Sequence, residues 1–234
     1  MRNNLIFNGV DFGSAFSAYI ANSNFLDGAA KDVTSIEIVG RSGNLEIFNG
    51  RYKNISLSVQ MYVLDNMKDN MDAMRKFLAA SIGYCRYEES MNPQEFRMAS
   101  FKQAFAPGLT DASGGVVTLE FDAKPQRYLQ TGEEWQSISS GGTIENPTLY
   151  ASKPIIRIAG NGTVNIGNIY ITVAEHSYPY IDIDCEQMNA FYEASNANSL
   201  VSFSTTDVIT LPSGTINITY DVSSVQIMPR WYQL

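Results

Sequence analysis

The chain has 234 residues, of which 44% are hydrophobic, 12% aromatic and 17% charged, and its formal net charge is -8 at pH 7. This composition is typical of an ordered globular protein that buries its own core, and it excludes a disordered chain. The acidic balance argues against a nucleic-acid-binding protein, because phosphate recognition needs clustered Lys and Arg and here they are scattered.

Neither a membrane anchor nor an export signal is predicted. The sequence has no stretch of about 20 apolar residues, the length that a membrane-spanning helix needs. The segment MRNNLIFNGVDFG lacks the long apolar core of a signal peptide, so we expect the protein to be made and assembled in a cytoplasm. Cys85 and Cys185 lie in apolar contexts, which favours buried free thiols over a disulfide or a reactive thiol.

Alternating apolar and polar residues predict strands in the first half of the chain, at 34–39, in NISLSVQMYV and in VVTLEFDA. Between the last two, NMKDNMDAMRKFLAASI has its apolar residues three or four apart, which predicts an amphipathic helix near 67–82. Asp65 or Asn66 is the predicted start and Gly83 the predicted end. We interpret its methionine stripe as facing the core rather than a partner.

The stretch GRSGNLEIFNGRYKN is rich in glycine, arginine and asparagine. Gly40 and Gly43 predict a turn after the first strand, from which Arg41 projects, and Asn49-Gly50 predicts a type I′ hairpin turn. An anion cradle is disfavoured, since its backbone amides would have to begin a helix and these begin strands.

The second half of the chain predicts a separate β domain. Residues 131–153 are rich in serine and glycine, which indicates a junction between a first domain, 1–130, and a second domain, 154–234. In the second domain, strands at 154–158, 169–173, 215–222 and 225–228 and in YPYIDIDC are separated by turn signals, with no helical segment between them. This pattern predicts an antiparallel sandwich.

No catalytic residue, metal site or cofactor is predicted. The single histidine, His176, lies near Glu175, Asp182 and Asp184, but the two aspartates occupy the polar positions of an alternating strand, where we expect solvent-facing carboxylates. No nucleophile elbow, phosphate loop or dinucleotide fingerprint is present. An enzyme that uses unrecognised paired carboxylates is therefore the weakest alternative.

Short motifs follow one another in a fixed order: FNGVDFG, EIVGRSGNLEIFNGRYKN, the helix, LEFDAKPQRYL, ENPTLYASKPIIRIAGNGTVNIG, IDIDCEQMNAFY, LPSGTINITY and VQIMPRWYQL. In this order and spacing, over nearly the whole chain, they resemble the distal tail protein (Dit) family of phages with long non-contractile tails. The resemblance implies a mainly β protein, with an N-terminal β-sandwich-like domain that carries the helix and a C-terminal galectin-like antiparallel sandwich.

The resemblance also implies a structural function without catalysis or a cofactor. Family members form a hexameric ring at the virion tail tip, which joins the tail tube protein to a tail-associated lysin, fibre or receptor-binding protein and encloses the DNA channel. No stable nucleic-acid binding and no membrane contact is expected. The candidate ring-interface residues are Gly40, Arg41, Gly43, Asn49 and Gly50.

One other function remains open from the residues. A carbohydrate-binding module or adhesin that recognises host cell-wall glycans would use exposed aromatic rings as a stacking platform. Tyr178, Tyr180 and Trp231 are the candidates for that platform.

Overall fold

The computed structural model describes residues 2–109 and 115–234. The chain divides into a first compact unit that ends at Arg127 and a second unit, Tyr128–Gln233. This division differs from the predicted junction at 131–153, because that segment carries two strands that pair within the second unit. Ser140 and Gly141 form the turn between these two strands, while Ile144 is buried in the second core.

The elements of the first unit, of which the last strand runs on to Leu129, are β1 (Leu5–Phe7), β2 (Val10–Asp11), α1 (Phe12–Phe16), β3 (Ala18–Ser23), β4 (Lys31–Ile36), β5 (Leu45–Tyr52), β6 (Ile55–Val63), α2 (Met67–Ala80), β7 (Cys85–Glu89), β8 (Glu95–Phe101), β9 (Pro107–Leu109) and β10 (Gly115–Leu129). Those of the second unit, besides short 3-10 turns at Gln130–Glu133 and Asn198–Leu200, are β11 (Gln136–Ile138), β12 (Gly142–Asn146), β13 (Ile155–Ala159), β14 (Gly162–Ile166), β15 (Ile169–Val173), β16 (Ile181–Asp184), β17 (Asn189–Tyr192), β18 (Ser195–Asn196), β19 (Val201–Phe203), β20 (Gly214–Tyr220), β21 (Ser224–Met228) and β22 (Tyr232–Gln233).

The first unit is built on one sheet of strand order β2-β1-β7-β8-β10-β6-β3, with β9 also paired to β10. In the long antiparallel β6–β10 pair, Leu57 lies opposite Phe121 and Val59 opposite Leu119. All four are buried, so the alternation read from the sequence places every second side chain in the core. The predicted fold class, mainly β in two domains, is confirmed.

Helix α2 packs its apolar stripe against this core. Met71, Met74 and Leu78 are buried, which confirms that the methionine stripe faces inward. The helix follows Asn66, whose side chain makes no capping bond, and its last residue is Ala80, so Ser81 and not Gly83 is the residue that caps its end. The Ser81 N–H still donates to the carbonyls of Phe77 and Leu78, but the backbone of Ser81 is extended, with a ψ of 114°, so the helix stops before Gly83.

A short helix, α1, was not predicted from the sequence. The carboxylate of Asp11 accepts hydrogen bonds from the N–H groups of Gly13 at 2.7 Å and Ser14 at 3.2 Å, which is the arrangement of an N-cap. Phe12 and Phe16 then enter the core, where both rings contact Phe77 of α2. The helix is too short for an apolar period to show in the sequence.

Arg97, on β8, is fully buried in the first unit. Its Nη2 donates to the carbonyl oxygens of Phe25 at 2.8 Å and Asp27 at 2.6 Å, its Nε donates to Phe25 at 3.0 Å, and its Nη1 donates to Pro125 at 3.3 Å. Burial lowers the pKa of Arg97 to about 10, so the guanidinium stays charged at neutral pH. One side chain thereby joins β8 to the 24–27 loop and to β10.

The second unit is an antiparallel sandwich of two sheets, in strand orders β11-β21-β13-β16-β17-β18 and β12-β20-β14-β15-β19. Both contribute to one core, in which Ile156 and Ile183 of the first sheet and Val164 and Ile218 of the second are buried. The turn-separated short strands of the sequence thus form the predicted sandwich.

Asp182 and Asp184, expected to face solvent, are instead buried, at 7% and 5% exposure. Asp182 receives two hydrogen bonds from Arg157, at 2.7 and 2.8 Å, and Asp184 receives two from Arg230, both at 3.0 Å. The expectation failed because alternation predicts only which face a side chain occupies, and here arginines cover the outer face of the sheet.

Replacing Arg97 with Met is expected to destabilise the first unit by about 3 to 5 kcal/mol, because the buried carbonyl of Phe25 and the partly buried carbonyls of Asp27 and Pro125 lose their donor. Arg75→Met is a matched control: Arg75 is exposed and pairs with Asp72 on the helix surface, and its loss should change stability by less than about 0.5 kcal/mol. Urea unfolding followed by circular dichroism measures both. Equal midpoints for the two variants would contradict the role given to Arg97.

Asp184 should make the second unit acid-sensitive. Burial raises the pKa of Asp184, but the hydrogen bond and charge of Arg230 outweigh this and the pKa is lowered. A carboxylate with a lowered folded-state pKa contributes stability above its unfolded pKa of about 4, and that stability is lost as pH falls through the folded pKa. Asp184→Asn should therefore lower the free energy of unfolding by about 2 kcal/mol at pH 7 and flatten its decline below about pH 4.

Both tryptophans of the chain, Trp135 and Trp231, belong to the second unit, so tryptophan fluorescence during urea unfolding reports on this unit. An acid profile for Asp184→Asn as steep as that of the unmodified protein would show that Asp184 does not supply this stability.

Candidate functional site

Strands β4 and β5 form a two-stranded sheet in which each is hydrogen-bonded only to the other among the described strands. We call residues 31–52 the hairpin. Every residue of β5 except the last is exposed. Six apolar side chains of the hairpin have exposed fractions from 39% to 103%: Ile36, Ile38, Val39, Leu45, Ile47 and Phe48. The hairpin is therefore a local concentration of apolar surface in contact with solvent.

The register of the hairpin places several of these residues on one face. Ile36 pairs with Leu45, and Thr34 pairs with Ile47. Because paired residues and residues two apart share a face, Ile36, Leu45 and Ile47 form a continuous apolar stripe. A strand pair in a monomeric protein normally buries such a stripe, and this one has no covering element within the described chain.

Asn49 and Gly50 lie inside β5, so the predicted type I′ turn at this pair is wrong. The pairing passes from Lys31↔Tyr52 to Val33↔Phe48, which leaves Asn49, Gly50 and Arg51 opposite Asp32 as a bulge. Gly50 has a φ of 72°, and a type I′ turn also requires a positive φ at this position. The tolerance of glycine for positive φ thus allows a kink within strand β5 rather than a reversal of the chain.

Polar contacts fix the bulge. The Nε of Arg51 donates to the carboxylate of Asp32 at 2.6 Å, and this hydrogen bond lowers the pKa of Asp32. On the other side, the Asn49 amide nitrogen donates to the hydroxyl oxygen of Thr34 at 3.1 Å. These bonds hold the base of the hairpin in one register.

The reversal of the chain lies at the hairpin tip. The N–H of Arg41 donates to the carbonyl of Ile38 at 3.1 Å, and Gly40, between them, has a φ of 80°. Gly43 has a φ of 82° and continues the reversal. Arg41 is exposed at this tip. All five candidate interface residues therefore lie on the hairpin, three at its tip and two in its bulge; the apolar stripe between them was not among the candidates.

The aromatic residues of the second unit are distributed differently from the predicted platform. Trp231 is 2% exposed and belongs to the core, so it is not available to stack on a sugar. Tyr178 and Tyr180 are half-buried, and both rings contact Tyr192, with centroids 5.1 and 5.0 Å apart. Glycan recognition by these tyrosines remains a prediction.

His176 makes contacts typical of a structural residue. One ring nitrogen, Nδ1, accepts from the N–H of Tyr178 at 3.1 Å, and the other lies 3.3 Å from the carbonyl oxygen of Gly160. Within residues 2–109 and 115–234, no three His, Cys, Asp or Glu side chains are grouped as metal ligands are. In the same ranges, no helix combines the length and the apolar character needed to span a bilayer.

Both cysteines are free thiols, with Cys185 buried and Cys85 half-buried. Burial raises the pKa of Cys185 to about 12, so this thiol is protonated and unreactive at neutral pH.

Comparison with models of protein families and with curated proteins finds no match. Among solved structures, the chain is similar to the crystal structure of SPP1 Dit (gp 19.1), described as a paradigm of the hub adsorption apparatus in phages that infect Gram-positive bacteria. The TM-score is 0.77 and the identity 13%, over 97% of this chain and 98% of that chain. The resemblance to the distal tail protein family is thus confirmed in the fold, which this chain shares with SPP1 Dit over nearly its whole length.

Proposed function

We propose that this protein is a distal tail protein, whose copies form a hexameric ring at the tip of a phage tail. The observation that carries the proposal is the hairpin, an apolar stripe of Ile36, Leu45 and Ile47 without a covering element. The fold shared with a hub protein supports the same function.

A ring explains why such a hairpin is retained. A lone two-stranded hairpin is at best marginally stable in water, and its free edges and apolar face invite uncontrolled pairing. When each copy places its hairpin against the next, the apolar face is buried, and closure of the ring leaves no unsatisfied surface for further growth. The hairpin is then an assembly element.

The proposed ring joins the tail tube protein to a tail-associated lysin, fibre or receptor-binding protein, and DNA passes through it in the virion. The formal net charge of -8 supports this role, because a ring of acidic subunits does not hold DNA by its phosphates. A lumen with a positive potential in a structure of the assembled ring would refute this part of the proposal.

The proposal includes no catalysis. Glu88 and Glu89 are adjacent carboxylates: Glu88 pairs with Arg86, and Glu89 accepts hydrogen bonds from Ser23 and from the Tyr87 hydroxyl. Asp182 and Asp184 are both bound by arginines. Groups held in this way support structural roles for these carboxylates.

We expect the purified protein to form rings of about six subunits at high concentration, and we expect Ile47→Asp to shift assembly to at least about tenfold higher concentration. The reason is that the variant would place an unpaired carboxylate in the buried interface. Light scattering over a concentration series, with negative-stain imaging, measures both.

Val208→Asp is the matched control, since Val208 is a similarly exposed apolar residue of the second unit, at 40% against 47% for Ile47. Assembly equal to that of the unmodified protein is expected for the control. If the protein is monomeric at every concentration, the proposed ring is refuted. If Ile47→Asp forms rings as readily as the unmodified protein, the hairpin is not part of the subunit interface.

Arg41→Ala is expected to weaken ring assembly while leaving the fold intact. Arg41 is exposed at the hairpin tip, so its removal breaks no internal contact that the tip depends on. Circular dichroism should therefore be unchanged while light scattering shows fewer rings. Rings formed as readily as by the unmodified protein would exclude Arg41 from the interface.

A further inference from the structure

The hairpin must meet a different surface on the neighbouring copy. A ring of more than two subunits is built from head-to-tail contacts, in which a surface on one copy binds another surface on the next. If the proposed function is correct, the same chain therefore carries both the hairpin and an acceptor for it. The acceptor should be concave, partly apolar and complementary in charge.

One surface of the first unit has these properties. Two cavities of about 380 and 390 Å³ adjoin each other, and both are lined by Leu26, Met91 and Asn92. Leu26 and Met91 are 61% and 73% exposed, which is unusual for apolar side chains beside a concave surface. We call these two joined cavities the groove.

The charge of the groove complements the hairpin tip. Asp27, on the groove wall, is exposed, and its carboxylate accepts a hydrogen bond from the neutral amide of Asn24 at 3.0 Å. At the other end of the groove, Glu95 and Arg127 neutralise each other at 3.2 Å. The hairpin tip carries the cation Arg41 next to the apolar Ile38 and Val39. Glu89 also lines the groove, and Glu37 precedes Ile38 on the hairpin. The cation Arg41, at the tip itself, thus matches a partly apolar groove in which acidic side chains are in excess.

The groove is also rigid before any partner binds. Arg97 donates to the carbonyls of Phe25 and Asp27, and the Asn24 side chain bonds to the carbonyl and N–H of strand β6 at Ser56 and Ser58. These contacts fix the 24–27 wall from two sides. A preformed acceptor loses little conformational entropy on binding, which favours association.

We infer that the hairpin tip of one copy docks in the groove beside Leu26 and Met91 of the next copy, with Arg41 opposite Asp27. This inference rests on the proposed ring and adds its acceptor surface. It assigns the exposed Leu26 and Met91 to the interior of the subunit interface.

Disulfide cross-linking between two differently tagged variants tests the contact. One variant carries Val39→Cys and the other Met91→Cys, both with Cys85→Ser, while Cys185 stays because it is buried. Under mild oxidation we expect a cross-linked pair containing both tags. Ile82→Cys replaces Met91→Cys as the control, since Ile82 is an equally prominent apolar residue of the first unit, at 89% exposure. Little cross-linking is expected with the control.

A charge exchange gives an independent readout on the full-length protein. Arg41→Asp and Asp27→Arg should each reduce ring formation, and the double variant with both changes should recover at least half of it. Light scattering measures assembly, and circular dichroism confirms that each variant is folded. No recovery in the double variant would overturn the Arg41–Asp27 contact.

The outcomes separate this inference from the proposed function. If rings form without a cross-link between Val39→Cys and Met91→Cys, or if Val39→Cys links to Ile82→Cys instead, the groove is not the acceptor. The proposed ring itself would not be contradicted by either result. Absence of any oligomer over the concentration series would refute the ring, and the inference with it.

Discussion

The buried guanidinium of Arg97 holds together the parts of the first unit on which the proposed assembly depends. It joins strand β8 to the carbonyls of Phe25 and Asp27 and to Pro125 on β10. The 24–27 loop forms one wall of the groove and leads within a few residues into β4, where the hairpin begins. One charge-assisted network therefore positions both of the surfaces that we expect to meet in a ring. Because its acceptors are carbonyls, no carboxylate has to stay ionised for it to hold.

The hairpin carries both an apolar surface that favours association and charged groups that can select a partner. Its stripe of Ile36, Leu45 and Ile47 supplies apolar area, which favours association but selects neither a partner nor a register. In the proposed ring, we expect selection to come from charges at the two ends of the hairpin, Arg41 at the tip and the Asp32–Arg51 pair at the bulge. The bulge also bends β5, which disfavours the flat edge-to-edge pairing that leads to aggregation. The charged groups and the bulge together limit the aggregation that an exposed apolar hairpin would otherwise favour.

Period-two alternation predicted the long strands and the core they form, and period 3.6 predicted α2, because burial of one face acts along the whole element. The prediction at Gly50 was wrong because its positive φ is compatible with both a turn and a bulge. Which of the two forms depends on the pairing with the partner strand β4, which the local sequence does not show. The burial of Asp184 and of Arg97 could not be predicted from the sequence for another reason. Their burial depends on residues distant in sequence, Arg230 in one case and the carbonyls of Phe25 and Asp27 in the other.

The 13% identity with SPP1 Dit has a physical meaning for the proposed interface. A core tolerates exchange among apolar residues as long as volume and pattern are kept, so the fold persists while identity falls. A homomeric interface is freer still, since the hairpin and the groove are encoded in the same chain and each has to match only the other. In the contact that we infer, Val39 and Met91 are therefore constrained as a pair rather than singly. Complementarity within this chain, rather than identity with a relative, is the property on which the proposed assembly depends.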